Sequence, residues 1–344
     1  MNDTVHEVVG AIHIHTTFSD GRGSVEEIAE IAGSVGLDFV LFSDHMTLEP
    51  LKLGLEGWYG GTLVLIGYEI NDRDDRNHYL AFNLRDTLAG ELTAPEYVRA
   101  VREQGGIGII AHPDEARTLP SLPPYPWVEW TVEDFDGIEI WNHSSEWVER
   151  LKPHNIVRHL MGPRSRLKGP PGTTLARWDR LSLRRRVAGI GGTDAHEHVV
   201  GWRFITMRIF PYKVQFKAIR THLLLHHPLS PSLEGAKSSI YAALTAARAF
   251  VSNFRWGDAR GFRFWAEDET ATYQMGERVP YQPGIHLHVR VPRKARVTLL
   301  RDGGEEVRAR TRALTVRADS PGAYRVEVRR RDRPWIFSNH IVLS

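Results

Sequence analysis

The stretch GAIHIHTTFSDG, residues 10–21, decides how the chain is read. It begins at the end of an apolar run, closes on an acid and a glycine, and carries two histidines one residue apart. Residues i and i+2 of a strand face the same way. His13 and His15 therefore aim together from the end of the first strand. A lone HxH pair at a strand end is more often incidental than functional, so its meaning depends on partners elsewhere.

Outward from that stretch, the chain alternates strand and helix over residues 7–250. Val8 to Ile14 is a short apolar strand. Ser24 reads as an N-cap, with Glu26 and Glu27 in the first turn of a helix that ends at Gly36. LDFVLFSDH (37–45), TLVLIGYEI (62–70), HYLAFNL (78–84), GIGIIAHP (106–113), DGIEIWN (136–142) and VAGIGGTDAH (187–196) follow as strands, with a helix from Ala94 to Gln104 between them. Residues 143–186 are less regular and are expected to hold helices and a loop, and further helices are expected at about 213–226 and 237–250. Continuous apolar strands separated by amphipathic helices imply a parallel sheet covered on its outer face, as in a barrel of βα units. Beyond Trp256 the pattern turns to period two in IHLHVRV, ARVTLL, ALTVRA and AYRVEVRR, with turns at RDGGEE and DSPG. The expected division is a barrel at 1–256 and a small antiparallel β-sandwich at 257–344.

The C-terminal rim of a βα barrel is where active sites form, and this chain loads that rim. His13, His15 and Asp20 come from the first strand and its loop, and His45 and Glu69 end the next two. His78, His112, Asp194 and His196 follow. Nine nitrogen and oxygen donors exceed the four to six that one first-row ion takes, which suits two or three metals with bridging carboxylates. Glu69 is the first choice for a bridge. Asp20, Glu69 and His196 are the candidate catalytic groups. Clustered ions acidify a bridging water to hydroxide and clamp the oxygens of an in-line displacement, which fits phosphate-ester hydrolysis. Glu139 is expected to orient a ligand histidine rather than bind metal. His286 and His288 repeat the HxH pattern without carboxylate partners and read as alternating surface positions.

Composition sets the outer bounds. Apolar residues make up 42% and charged residues 25% of 344, ordinary for a globular chain that can bury a core. With no cysteine, thiolate ligands and disulfides are excluded and any metal must be held by nitrogen and oxygen. No apolar run reaches membrane length, and the first residues lack a signal-peptide pattern, so the expectation is a cytoplasmic protein without a membrane partner. The net charge is +2. Arginine runs at 184–186 and 328–333 read as solvated faces, and nucleic acid is disfavoured as a partner.

HIHTTFSDG, FSDH, GYEI, AHPDE and GGTDAH, in this order, resemble the motifs of the polymerase-and-histidinol-phosphatase (PHP) superfamily. The resemblance covers about residues 7–250. It implies a distorted (β/α)7 barrel with a di- or trinuclear zinc, manganese or iron site held by the nine residues named above. FSDH carries serine where the family commonly has threonine, which touches no ligand. SSIYAALTAARAFVSN, YQMGERV, VTLLRDGGEEV, SPGAYRVEVRR and RPWIFSNHIVL resemble the carbaryl-hydrolase-like branch, which appends a β-domain. The leading expectation is a phosphomonoesterase or phosphodiesterase using a metal-bridging hydroxide on a small-molecule ester. A carbamate or carboxylic-ester hydrolase using the same site is the alternative. A catalytically silent, metal-stabilised interaction module is a third reading. Candidate substrate contacts are Trp141, His143, Arg164, Arg177, His198 and Arg203.

Overall fold

The structure is a computed structural model. It describes residues 5–117, 123–152, 155, 162, 164, 167–202 and 205–344, with the backbone alone over 198–202 and 205–209. Arg203 lies outside the described residues. Seven strands close a ring: β1 (His6–Ile14), β2 (Phe39–His45), β4 (Thr62–Ile70), β5 (Tyr79–Phe82), β6 (Ile107–Ile110), β7 (Gly137–Asn142) and β8 (Ala188–Ala195), which returns to β1. A short strand, β3 (Gly57–Tyr59), pairs antiparallel with the first residues of β4.

The ring departs from the all-parallel sheet that the pattern implied. β5 runs antiparallel to both neighbours. The reason is the connection: residues 71–78 are too few for the dozen-residue crossover that a parallel strand needs. Asp72 folds that connection into a turn by accepting from Asp74 N, Arg76 N and Asn77 Nδ2.

Alternation divides the ring's side chains. Val40, Phe42, Val64 and Ile66 pack under the covering helices α1 (Val25–Ser34) and α3 (Ala94–Glu103), whereas Phe39, Leu41, Leu63 and Leu65 form a separate cluster inside. Both helices start with a reciprocal capping box, Ser24 with Glu27 and Thr93 with Glu96, a device worth about 1 kcal/mol for the cap alone. Shorter helices sit at Glu49–Lys52 (α2) and His143–Glu149 (α4), and α5 (Gly172–Arg184) packs beside β7.

The helix expected near 237–250 is present about one turn earlier, whereas the one expected near 213–226 is mostly strand. A four-residue helix, α6 (Tyr212–Gln215), leads into strand β11 (Ile219–Leu225), and α7 (Leu233–Thr245) leads into strand β12 (Ala249–Asn253); β9 (His198–Trp202) and β10 (Ile205–Ile209) precede them as a separate hairpin. Both faces of β11 are buried between β1 and β12. Such a run has no period to separate it from a buried helix.

Beyond β12 the chain is β-rich: β13 (Arg263–Glu267), β14 (Thr272–Gln274), β15 (Arg278–Val279), β16 (His286–Arg301), β17 (Gly304–Arg317), β18 (Gly322–Arg330), β19 (Arg333–Ser338) and β20 (Ile341–Leu343). IHLHVRV and ARVTLL, expected as two strands, are one long strand with a register break between Arg290 and Ala295. These strands enclose their own apolar cluster, including Phe264, Leu287, Val297, Val326 and Trp335. His286 is exposed between buried neighbours as alternation requires, whereas His288 stacks on Trp265 and, against the expectation of no carboxylate partner, lies 3.7 Å from Glu267. The tail is also sewn to the barrel. β19 pairs with β12, and the Asn339 amide bonds both backbone groups of Gly189.

Candidate metal centre

The candidate ligands come together where the strands of the ring end. Glu69 lies at the middle. Its Oε2 is 3.1 Å from His13 Nε2, 3.2 Å from His15 Nε2 and 3.5 Å from His45 Nδ1. Its Oε1 is 2.8 Å from His78 Nδ1 and 3.3 Å from His112 Nε2. Asp194 Oδ1 stands 3.5 Å from His13, 3.6 Å from His15 and 3.3 Å from His196. Asp20 faces His196 at 3.0 Å and His15 at 3.4 Å from the solvent side, being 57% exposed, while His13, His15 and Glu69 are essentially fully buried. All nine sequence candidates are brought into one cluster.

Three of these candidate ligands, His13, His112 and Asp194 (φ 49°), sit in left-handed backbone. Strict alternation would put His13 on the helix-facing side with Val9 and Ala11, and His112 with Ile110. His13 adopts φ 68° and His112 φ 23°, conformations uncommon for side chains other than glycine. At His13 the register between β1 and β8 slips as well. Left-handed residues and slipped register re-aim side chains at functional sites.

Neighbouring groups hold the ligands still. Glu139 Oε1 is 3.0 Å from His13 Nδ1, and its Oε2 accepts from His112 N and Asn142 Nδ2, the orienting role expected of it. Gly192 makes room for that carboxylate, since an added Cβ would sit 1.3 Å from Glu139 Oε1. Gly192→Ala is therefore expected to dislodge Glu139 and lower both ion content and turnover by about 10–100-fold, checked by elemental analysis and rates; unchanged values would remove Glu139's orienting role. Asp44 accepts from Thr16 N, Thr16 Oγ1 and Ser19 Oγ, pinning the loop that carries Asp20.

Electrostatics match a site built for cations. Burial and the nearby His196 lower His15 to about 3. Burial alone would lower His78, but Glu69 and Asp75 raise it to about 9. His13, despite burial, is raised by Glu69, Glu139 and Asp194, and Glu69 in turn is lowered by His13, His45 and His78. The His15 nitrogens meet carboxylates of Glu69 and Asp20 at 3.2 and 3.4 Å without good hydrogen-bond geometry, and Nδ1 of His112 is buried without a hydrogen-bond partner, a costly state for a polar atom unless something else engages it. Four groupings can each present three or more donor atoms to one ion: His15/Asp20/His45/His196, His13/His112/Asp194, His13/His15/Glu69 and His45/Glu69/His78. Sulfur-free imidazole and carboxylate donors fit zinc, manganese or iron.

The candidate substrate contacts fare differently. Trp141 is fully buried, donates to Glu146 and meets Phe337 edge-on, so its ring is not free to stack on a substrate. His143 is buried beside Phe210. Arg164 donates to the Lys217 carbonyl, and Arg177 reaches Asp114 while lying over Trp130. For His198 only the backbone in β9 is described. Tyr125, which stacks on His78 at 4.9 Å, carried no sequence signal, and the buried Glu115 that receives its backbone N–H lay within the AHPDE motif but was given no role.

No protein-family model matches the chain. An uncharacterised protein of Methanocaldococcus jannaschii is 28% identical over 167 residues, spanning 43% of this chain and 91% of that protein. A two-domain protein of Bacteroides vulgatus, described as containing a predicted PHP-like metal-dependent phosphoesterase, matches 99% of this chain and 96% of its own at 14% identity, with a TM-score of 0.45. An amidohydrolase of Chromobacterium violaceum, solved with sulfate and no metal, matches 54% of this chain and 87% of its own at 14% identity and a TM-score of 0.35.

Proposed function

We propose that the chain is a PHP-type metal-dependent hydrolase of phosphomonoesters or phosphodiesters. One observation carries this reading: Glu69, buried at the centre, faces five imidazoles through its two oxygens. Two or three divalent ions, when bound, would supply Lewis acidity and a water acidified toward neutrality. The protein's own part follows from its geometry. Glu69 joins the ligand groupings, and Glu139 fixes His13. Asp20 and His196, 3.0 Å apart at the solvent side, are placed to hold or pass on a proton for the leaving group. Residues 1–256 carry the chemistry in this reading and 257–344 form the appended β-unit. Among the described residues no helix is long and apolar enough to cross a membrane.

A carbamate or carboxylic-ester substrate is the second reading, and a cavity beside His112 favours it. That cavity, of about 270 Å³, is lined by Asp114, Glu115, Glu146 and Glu149 against Arg150 and Lys168. An acidic lining suits a neutral ester better than a phosphate dianion.

Initial rates of zinc- or manganese-loaded protein on p-nitrophenyl phosphate, bis-p-nitrophenyl phosphate and 1-naphthyl N-methylcarbamate decide between them, with His15→Ala as control. The phosphates are expected to turn over and the control to be inactive. Turnover confined to the carbamate would replace the first reading by the second, and full activity in His15→Ala would overturn both.

A further inference from the structure

In the β-rich tail, cross-strand register sets Arg296 of β16 directly opposite Arg310 of β17 on one side and Arg329 of β18 on the other. Directly opposed residues share a face, with Cβ atoms about 4.5–5.5 Å apart. Three guanidinium side chains thus form a row across three adjacent strands. Arg308 and Arg312 flank Arg310 at alternate, exposed positions, and the register break in β16 leaves Arg293 and Lys294 exposed beside the row.

Few carboxylates answer this charge. Asp332 lies 3.0 Å from Arg296. The acids at the tip of the β16–β17 hairpin, Glu305 and Glu306, are engaged by Arg308 and Arg301. Like charges directly opposed across strands are destabilising. Protection of an exposed edge explains arginines on β17, which pairs only with β16. It does not explain Arg296 or Arg329, whose strands are paired on both sides. An anion laid along the row would offset the repulsion.

The chemistry of the face selects the kind of anion. Arginine forks bind phosphate oxygens bidentately. A bilayer-binding face would also present apolar side chains for insertion, yet the exposed large hydrophobics among the described residues, Met46, Leu53, Val128 and Leu183, all lie outside this sheet. Within the face, Arg329 donates Nη1 to the Asp332 carbonyl and Arg312 donates Nη2 to the Pro292 carbonyl, one nitrogen of each fork. We propose that the Arg296–Arg310–Arg329 face binds the phosphate backbone of a nucleic-acid strand.

The test reads binding, not turnover, so it stands apart from the hydrolase reading. Full-length protein is titrated by fluorescence anisotropy into a labelled, hydrolysis-resistant phosphorothioate strand of about 20 nucleotides, from about 50 to 200 mM salt. Contact with three phosphates should give a log–log salt slope of about −2, and the triple variant Arg296→Gln/Arg310→Gln/Arg329→Gln should flatten it and weaken binding at least about tenfold. Arg310→Gln alone, at an exposed edge position, should remove about 0.7 of the slope and serves if the triple variant misfolds. Unchanged affinity in folded variants, no binding at the lowest salt, or tighter binding to phosphatidylserine vesicles than to the strand would each overturn the proposal.

Discussion

Glu69→Gln should strip at least one ion from the centre and lower turnover by more than the 10–100-fold typical of a residue that only orients a ligand. Glutamine keeps the shape of the side chain but loses its charge and exchanges one acceptor oxygen for a donor NH2. Each Glu69 oxygen faces two or three imidazole nitrogens at 2.8–3.5 Å, so the amide cannot satisfy both sides. The substitution also has a readout that needs no substrate. In metal-free protein Glu69 contributes to raising His78 to about 9, so Glu69→Gln should lower the His78 titration followed by NMR. Unchanged ion content and rate would overturn the central role given to Glu69. A loss confined to rate would leave Glu69 in the chemistry but not in holding the ions.

Most of the nine candidate ligands were legible because they interrupt apolar runs at strand ends, where polar residues have few structural uses, while Asp20 in the loop after β1 and His78 just before β5 were legible from their place beside these. What could not be read was how two of them reach the cluster. By alternation His13 and His112 belong on the helix side, and only their positive φ angles turn them inward. The orienting residues divide in the same way. Glu139 stood out as an acid inside GIEIWN. Tyr212, whose hydroxyl donates to the His15 carbonyl from 197 residues away, had no local mark. β11 was misread as helix because IRTHLLL is buried on both faces. Its polar members have partners remote in sequence: His222 joins Glu7 and Ser252, and Arg220 reaches Val35 O. Similarly, the row Arg310–Arg296–Arg329 exists only once strand register is known.

Breaking the ion pair that joins the barrel to its tail should be the largest single loss of stability. Asp179 of α5 receives both Nε and Nη2 of Arg325 at 2.6 and 3.1 Å, and His340 Nε2 lies 2.7 Å from the same carboxylate. Asp179 and Arg325 are almost entirely buried. Asp179→Ala leaves the buried Arg325 with only Glu327, 2.7 Å from Nη1, to answer its charge, a defect of about 3 kcal/mol, at the low end for a broken buried pair. Arg325→Met should cost a similar amount by stranding Asp179. Combining the two should cost less than their sum, because no buried charge is left alone and a matched apolar pair can be nearly neutral. Unfolding midpoints in urea for the four members of this cycle provide the check, and strictly additive losses would show that the pair is not coupled. The cluster also sets a sign for pH. Burial would raise Asp179, but His340 and Arg325 hold it below the ordinary carboxylate value, and burial lowers His340. A group whose folded pKa is depressed binds fewer protons folded than unfolded, so its contribution is lost as pH falls. The loss should begin below the unfolded histidine value of about 6.5 and steepen below the carboxylate value of about 3.9. In Asp179→Ala the limb below the carboxylate value of about 3.9 should be shallower than in the parent, while His340, which Asp179 had helped to raise, keeps its loss below about 6.5; an unchanged limb below about 3.9 would place that sensitivity elsewhere.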